Sequence, residues 1–170
     1  MDDRDLVARQ LGRPPRAFRR VAVRCPFGRP AVTEQEPYGN DGRPFPTTWY
    51  LTCPHAVAAV SRLEAAGGVE RWTRAVAGDH ELAESLAAAH EEQRRHRHEL
   101  APGGSGEDGG ASFELGVGGA SRGGSLKCLH AHVAFALVHP GYELGRRILA
   151  ELDPLWPATC CSEAFVSSVP

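Results

Sequence analysis

The chain has 170 residues and a formal net charge of −2 at pH 7, and 42% of its residues are hydrophobic. This length and apolar share suit one packed domain, and the charge argues against general attraction to nucleic acid. No run approaches the roughly 18 apolar residues that a membrane-spanning helix needs. The acidic start Met1–Asp5 lacks the apolar segment of a secretory signal. We therefore expect a cytoplasmic protein with no membrane partner and with reduced cysteines.

Hydrophobic periodicity and turn residues predict one helix, three strands and then mainly helices. The first helix covers residues 3–11 and ends at Gly12. Alternating or β-branched residues predict strands over 18–24, 30–36 and 47–52. The predicted fold class is α+β, with a small three-stranded antiparallel sheet near the N-terminus packed against a mainly helical remainder.

The second half of the chain is predicted to be mostly helical within a single domain of residues 1–170. Pro54 suits the first position of a helix, and Gly67-Gly68 would end it. Further helices are predicted over residues 69–77, 79–100, 125–138 and 142–152. Residues 101–112 are polar and glycine-rich, which indicates a flexible loop. Residues 113–124 favour a short strand or a structured loop, and residues 154–170 an irregular tail.

The chain contains two Cys-x-His pairs, Cys53-Pro54-His55 and Cys128-Leu129-His130, among only five cysteines. Reduced cysteines of this kind are metal ligands, reactive thiols or buried small side chains. Zinc takes four Cys or His ligands in structural sites and three plus water in catalytic ones. The candidate zinc ligands are Cys25, Cys53, Cys128 and one of His55, His130 and His132. Their spacing lacks the paired Cys-x₂₋₄-Cys knuckles of strong zinc signatures.

The start of the helix near Cys128 decides which histidine accompanies this cysteine. If Ser125 caps the helix, Cys128 and His132 lie on one face, four residues apart. His130 would then point about 160° away from Cys128. A helix that begins at or after Cys128 would instead pair Cys128 with His130.

The same residues also fit a metal-free thiol enzyme acting on a small or phosphorylated substrate. Cys53 would be the nucleophile, because the positive end of the following helix lowers the pKa of a thiol. His130 or His90 would act as the base. The glycine-rich segment 116–119 would offer backbone N–H groups to an anion. A phosphate-rich ligand would be bound by the basic segment Arg13–Arg29, which contains Arg13, Arg16, Arg19, Arg20, Arg24 and Arg29.

A third interpretation is a non-enzymatic interaction protein whose cysteines are buried and structural. In that case, replacing Cys53 or Cys128 by alanine would change stability but no measurable chemistry.

Several sequence blocks taken together resemble a known family: GRPPR, RCPFGRPAVTEQEP, FPTTWYLTCP, VSRLEAAGGV and KCLHAH. They are similar to the domain of unknown function 501, an uncharacterised bacterial family common in actinobacteria, over about residues 5–155 without the 101–112 segment. The matching polar positions are Arg24, Cys25, Cys53, Arg62, Glu64, His90, Arg97, Lys127, Cys128 and His130.

The resemblance implies no activity, but it changes the predicted ligand set. His55 departs from the family pattern, and His132 lies at a variable position. The predicted metal ligands are therefore Cys25, Cys53, Cys128 and His130, with His132 as a substitute ligand and zinc as the expected metal.

Overall fold

The computed structural model describes residues 1–101, 103, 106–121, 124, 126–152 and 154–161. Within these residues lie three strands, six α-helices and two short 3-10 helices. The elements are α1 Asp3–Leu11, β1 Phe18–Arg24, β2 Pro30–Gln35, β3 Trp49–Leu51, α2 Pro54–Ala65, α3 Gly68–Gly78, α4 His80–Leu100, the 3-10 helices Ala111–Glu114 and Val117–Gly119, α5 Leu129–Val138 and α6 Glu143–Ala150.

The three strands form one antiparallel sheet in the order β1-β2-β3. Thr33 in the central strand pairs with Val21 on one side and Tyr50 on the other. Every residue of β2 is buried, because a neighbouring strand covers each edge and the core covers one face. The predicted α+β class and the small antiparallel sheet near the N-terminus are confirmed.

Helix α5 is the central element of the core. It is apolar almost throughout, and Leu129, Val133 and Ala134 have no exposed surface. It contacts β3, α2 and α6, which leaves little of its circumference open to solvent. Its N-terminal end therefore has a fixed position relative to the end of α2.

The start of α5 differs from the interpretation in which Ser125 caps it; Ser125 itself lies outside the described residues. The helix begins at Leu129, and Cys128 is its N-cap in an extended conformation with φ −155° and ψ 117°. The Leu129 N–H group donates to Oε1 of Glu64 at 2.6 Å. The cap thus comes from another helix and not from a local serine.

Residues 111–119 of the glycine-rich region before α5 form 3-10 turns, which agree with the predicted structured loop and not with the alternative of a short strand. Gly118 and Gly119 have φ angles of 69° and 76°, which interrupt extended pairing and favour glycine.

The carboxylate of Asp108, in the loop predicted to be flexible, accepts hydrogen bonds from the N–H groups of Gly110 and Ser112 and from the Tyr38 hydroxyl. Part of the predicted flexible loop 101–112, namely residues 102, 104 and 105, lies outside the described residues, as does 162–170 of the predicted tail.

No helix in the described part of the chain combines the length and the apolar character needed to cross a membrane.

Candidate functional site

Three side chains from two helices meet at the junction of α2 and α5. Glu64 lies in the last turn of α2, Cys128 caps α5, and His130 lies in the first turn of α5. One ligand atom of each residue, a carboxylate oxygen, a sulfur and a ring nitrogen, lies within 4.8 Å of the other two. All three residues are partly exposed, so the group is open to solvent.

Glu64 is held at this position by the backbone of α5. Its Oε1 atom accepts the Leu129 N–H hydrogen bond and lies 3.2 Å from Nδ1 of His130. The N-terminal end of a helix carries a partial positive charge, which favours a carboxylate there. The carboxylate is thus anchored with one oxygen directed at His130.

The ring of His130 is oriented from its other side. Its Nε2 atom lies 3.2 Å from the carbonyl oxygen of Val57 and 3.2 Å from Oγ of Ser61. A proton on Nε2 is donated to the Val57 carbonyl, which directs Nδ1 towards Glu64 and Cys128. A hydrogen-bonding interaction with the Cys128 side chain and the charge of Glu64 raise the pKa of His130 to about 8, although partial burial opposes this shift.

The three donors fit the ligand preferences of zinc. Zinc binds thiolate sulfur, imidazole nitrogen and carboxylate oxygen, and sites with three protein ligands leave one position open. The histidine that binds a metal usually donates its second ring N–H to a carbonyl or carboxylate, as Nε2 of His130 does with Val57. The donor types and their orientation therefore match a metal site with an accessible fourth position.

A glycine-rich segment and the single lysine of the chain border this group. A Cβ atom added to Gly118 would lie 3.8 Å from the Cys128 carbonyl oxygen and 3.9 Å from its Cβ, so this glycine packs beside the cysteine. Lys127 is exposed and donates from Nζ to the Gly119 carbonyl at 3.2 Å. The predicted anion-binding glycines thus lie next to Cys128, with a positive charge near them.

The predicted ligands Cys25 and Cys53 lie outside this group. Cys25 is buried in the turn between β1 and β2, and Cys53 is only 2% exposed. Within the described part of the chain, the group of Glu64, Cys128 and His130 is the one cluster of three such donors, and neither cysteine belongs to it. The structure therefore brings together Cys128 and His130 of the predicted set, with Glu64 as the third member.

Cys53 is also poorly suited to the role of nucleophile. Burial raises the pKa of its thiol to about 11, despite its position before α2. Its sulfur lies 4.0 Å from the sulfur of Cys161. The desolvation of a thiolate thus outweighs the favourable effect of the helix end at this position.

The two other candidate histidines are buried in the core. Nδ1 of His90 accepts a hydrogen bond from the Val117 N–H group at 3.0 Å. Nδ1 of His132 lies 2.8 Å from the Tyr142 hydroxyl, and burial lowers the pKa of His132 to about 3. Neither ring belongs to the donor group of Glu64, and His55 also lies outside it.

The basic segment Arg13–Arg29 is largely engaged with acidic residues. Four of its six arginines form ion pairs: Arg16 with Asp41, Arg19 with Glu36, Arg20 with Glu34, and Arg24 with Asp3. These pairs lower the positive charge available to a phosphate-rich ligand.

Besides its matching family position, Glu64 had a second signal in the sequence that the ligand prediction did not use. Glu64 lies in the last turn of a helix, where the negative end of the helix dipole disfavours a carboxylate. An acidic residue at such a position indicates a partner elsewhere in the fold. The Leu129 N–H group and His130 are these partners.

Comparison with known proteins assigns the chain to a family. No curated protein and no solved structure matches the chain. One family model, described as a protein of unknown function (DUF501), matches residues 21–149, a segment that contains Glu64, Cys128 and His130. The chain therefore belongs to the DUF501 family.

Proposed function

We propose that Glu64, Cys128 and His130 bind one zinc ion and leave its fourth position open to water or a small substrate. The observation that carries this proposal is the 4.8 Å limit on the separations of the three donor atoms. Zinc bonds of about 2.0–2.3 Å require only small side-chain shifts from such separations.

The surroundings of the three donors support the proposal. The Leu129 N–H group fixes the Glu64 carboxylate, and the Val57 carbonyl fixes the ring of His130. Such contacts orient the ligands before metal binding and raise the affinity of a site. Cys128 is held by its position as the N-cap of a buried helix, so all three donors are on rigid elements.

The open position would determine the chemistry of the site. Zinc with three protein ligands lowers the pKa of bound water and polarises carbonyl groups. The residues of the chain contribute by holding the ligands and by holding the exposed ammonium group of Lys127 at the Gly119 carbonyl, next to the glycine that packs beside Cys128. A negatively charged small substrate fits this combination, since the ammonium group would attract it.

Zinc titration of the reduced protein against a chromophoric chelator tests the proposal. The expected result is one zinc per chain for the wild type and for the control variant Cys25→Ser, because Cys25 lies outside the donor group. Cys128→Ser should lower the zinc affinity by at least about tenfold. Equal affinities for the wild type and Cys128→Ser would overturn the assignment.

A second candidate function, a thiol enzyme, is favoured by the closeness of the Cys128 sulfur to the ring of His130. Cys128 and His130 correspond to nucleophile and base in a thiol enzyme without metal, and the Glu64 carboxylate beside Nδ1 would stabilise the charged ring. In this case Cys128 takes the role that the sequence assigned to Cys53, since Cys128 is partly exposed at a helix N-terminus.

Alkylation of the chelator-treated protein near neutral pH tests the second candidate. Cys128 should react much faster than Cys25 and Cys53, and the substitution His130→Asn should slow the alkylation of Cys128. Equal, slow labelling of these three cysteines would exclude Cys128 as an activated nucleophile.

A further inference from the structure

A second pair of sulfur atoms lies apart from the proposed zinc site. The Sγ atoms of Cys53 and Cys161 are 4.0 Å apart, although the residues are separated by 108 positions in the chain. Cys53 is the N-cap of α2, and Cys161 belongs to residues 154–161, here called the C-terminal segment, which packs against the core. Neither residue belongs to the donor group of Glu64, Cys128 and His130.

We propose that Cys53 and Cys161 form a reversible disulfide under peroxide stress, which fastens the C-terminal segment to the start of α2. A disulfide requires a sulfur–sulfur distance of about 2.05 Å, so the two sulfur atoms must approach by about 2 Å. Rotation about the Cα–Cβ bond of the partly exposed Cys161 can supply this approach, whereas Cys53 is enclosed by the core.

The exposure of the two thiols sets the order of the chemical steps. Cys161 is partly exposed and Cys53 is buried, so peroxide reaches Cys161 first. Hydrogen peroxide converts the Cys161 thiol to a sulfenic acid and is reduced to water. The Cys53 sulfur then attacks the sulfenic sulfur, and its proton leaves with the displaced hydroxyl group as a second water. This is the slow step, because burial raises the pKa of the Cys53 thiol and keeps it protonated until it attacks. In total, two thiols lose two protons and two electrons, and one peroxide becomes two waters.

The location of the pair gives the disulfide a specific structural effect. Cys161 lies beyond the segment 21–149 that the family model matches, whereas Cys53 lies within it. The bond would therefore join the C-terminal segment, which lies outside the matched residues, to α2 within them. It would close the loop from α2 to the C-terminal segment, and a dithiol reductant would open it again.

Peptide mapping of the full reduced chain after treatment with hydrogen peroxide tests this inference. The expected product is a peptide pair cross-linked through Cys53, two hydrogens lighter than the reduced pair and restored by dithiothreitol. Cys161→Ser should abolish the cross-link, whereas Cys160→Ser should retain it. Circular dichroism of each variant would show that it is folded.

Three results would overturn the inference. They are the absence of a Cys53 cross-link in the wild type, its persistence in Cys161→Ser, and fragmentation of the wild-type peptide pair that assigns the bond to Cys160. The fragmentation result does not depend on any variant, so it decides the question even if Cys160→Ser does not fold.

Discussion

The Nδ1 atom of His130 lies 3.2 Å from Oε1 of Glu64, and the same oxygen accepts the hydrogen bond of the Leu129 N–H group. One carboxylate thus serves the start of α5 and the candidate metal site at once. These two roles depend on different properties of the side chain: the cap needs an acceptor oxygen, and the metal needs negative charge.

The substitution Glu64→Gln separates the two roles. Glutamine keeps an oxygen that can accept from Leu129 but removes the charge, so the zinc affinity should fall by at least about tenfold. The free energy of unfolding without metal should change by less than about 1.5 kcal/mol, because the cap is retained. Chelator competition and urea unfolding measure the two effects. The matched control is Glu70→Gln, which changes an exposed glutamate in α3; an equal zinc affinity for both variants would exclude Glu64 as a ligand.

Gly116 lies where the glycine-rich segment meets α4. An added Cβ would overlap Nδ1 of His90, whose ring is buried and already accepts a hydrogen bond from the Val117 N–H group. Gly116→Ala should therefore destabilise the protein by about 1–3 kcal/mol, the usual cost of overpacking. Urea unfolding measures it against Gly141→Ala, where nothing lies within 4 Å of the added atom. Equal stability of the two variants would contradict the close packing at Gly116.

The buried ring of His132 predicts a loss of stability in acid. Its pKa is about 3 in the folded protein and near the ordinary value of 6.5 when unfolded. Between these values the unfolded chain binds a proton that the folded chain does not, so stability falls as the pH decreases from about 6.5. This residue changes the free energy of unfolding by at most about 1.4 kcal/mol per pH unit.

The pH dependence can be assigned with two variants. His132→Gln should show a smaller loss of unfolding free energy between pH 7 and pH 5 than the wild type. His80→Gln should behave like the wild type, since His80 is 87% exposed. If both variants keep the wild-type slope, His132 does not contribute to acid destabilisation.

Glu34 is a carboxylate with only 1% exposure in the central strand. It accepts from Nε2 of His96 at 2.6 Å and forms ion pairs with Arg19 and Arg20. Glu34→Gln should cost about 1.5–3 kcal/mol, because hydrogen bonds to a buried charge are lost. Glu36→Gln should cost less than about 1 kcal/mol, since its ion pair with Arg19 is exposed. Thermal or urea unfolding compares the two variants. An equal loss of unfolding free energy would show that burial does not strengthen the interactions of Glu34.

Much of the fold could be predicted from the sequence because local patterns determine it. Alternating residues in 18–24 and Pro54 at a helix start report on neighbouring positions, and the strands and helices lie close to their predicted bounds. The helix predicted to start at residue 79 begins directly after Asp79, whose carboxylate accepts from the Leu82 N–H group at 3.2 Å. Such signals act within a few residues and need no knowledge of the tertiary structure.

The candidate site could be predicted only in part, because its defining contact joins distant segments. The sequence left two starts for α5 open, one capped by Ser125 and one at or after Cys128. Glu64 from α2 caps the helix at Leu129, which agrees with the second. This later start brings Cys128 and His130 together. A carboxylate ligand in α2 was not predicted, since no local pattern relates Glu64 to the KCLHAH block.

X-ray absorption spectroscopy at the zinc edge of the metal-loaded protein tests the central claim most directly. A site of Glu64, Cys128 and His130 predicts one sulfur ligand near 2.3 Å, with the other ligands being nitrogen or oxygen near 2.0–2.2 Å. Two or more sulfur ligands would contradict this account and would indicate that Cys25 or Cys53 also binds the metal. A reduced protein that retains no zinc under the same conditions would contradict it as well.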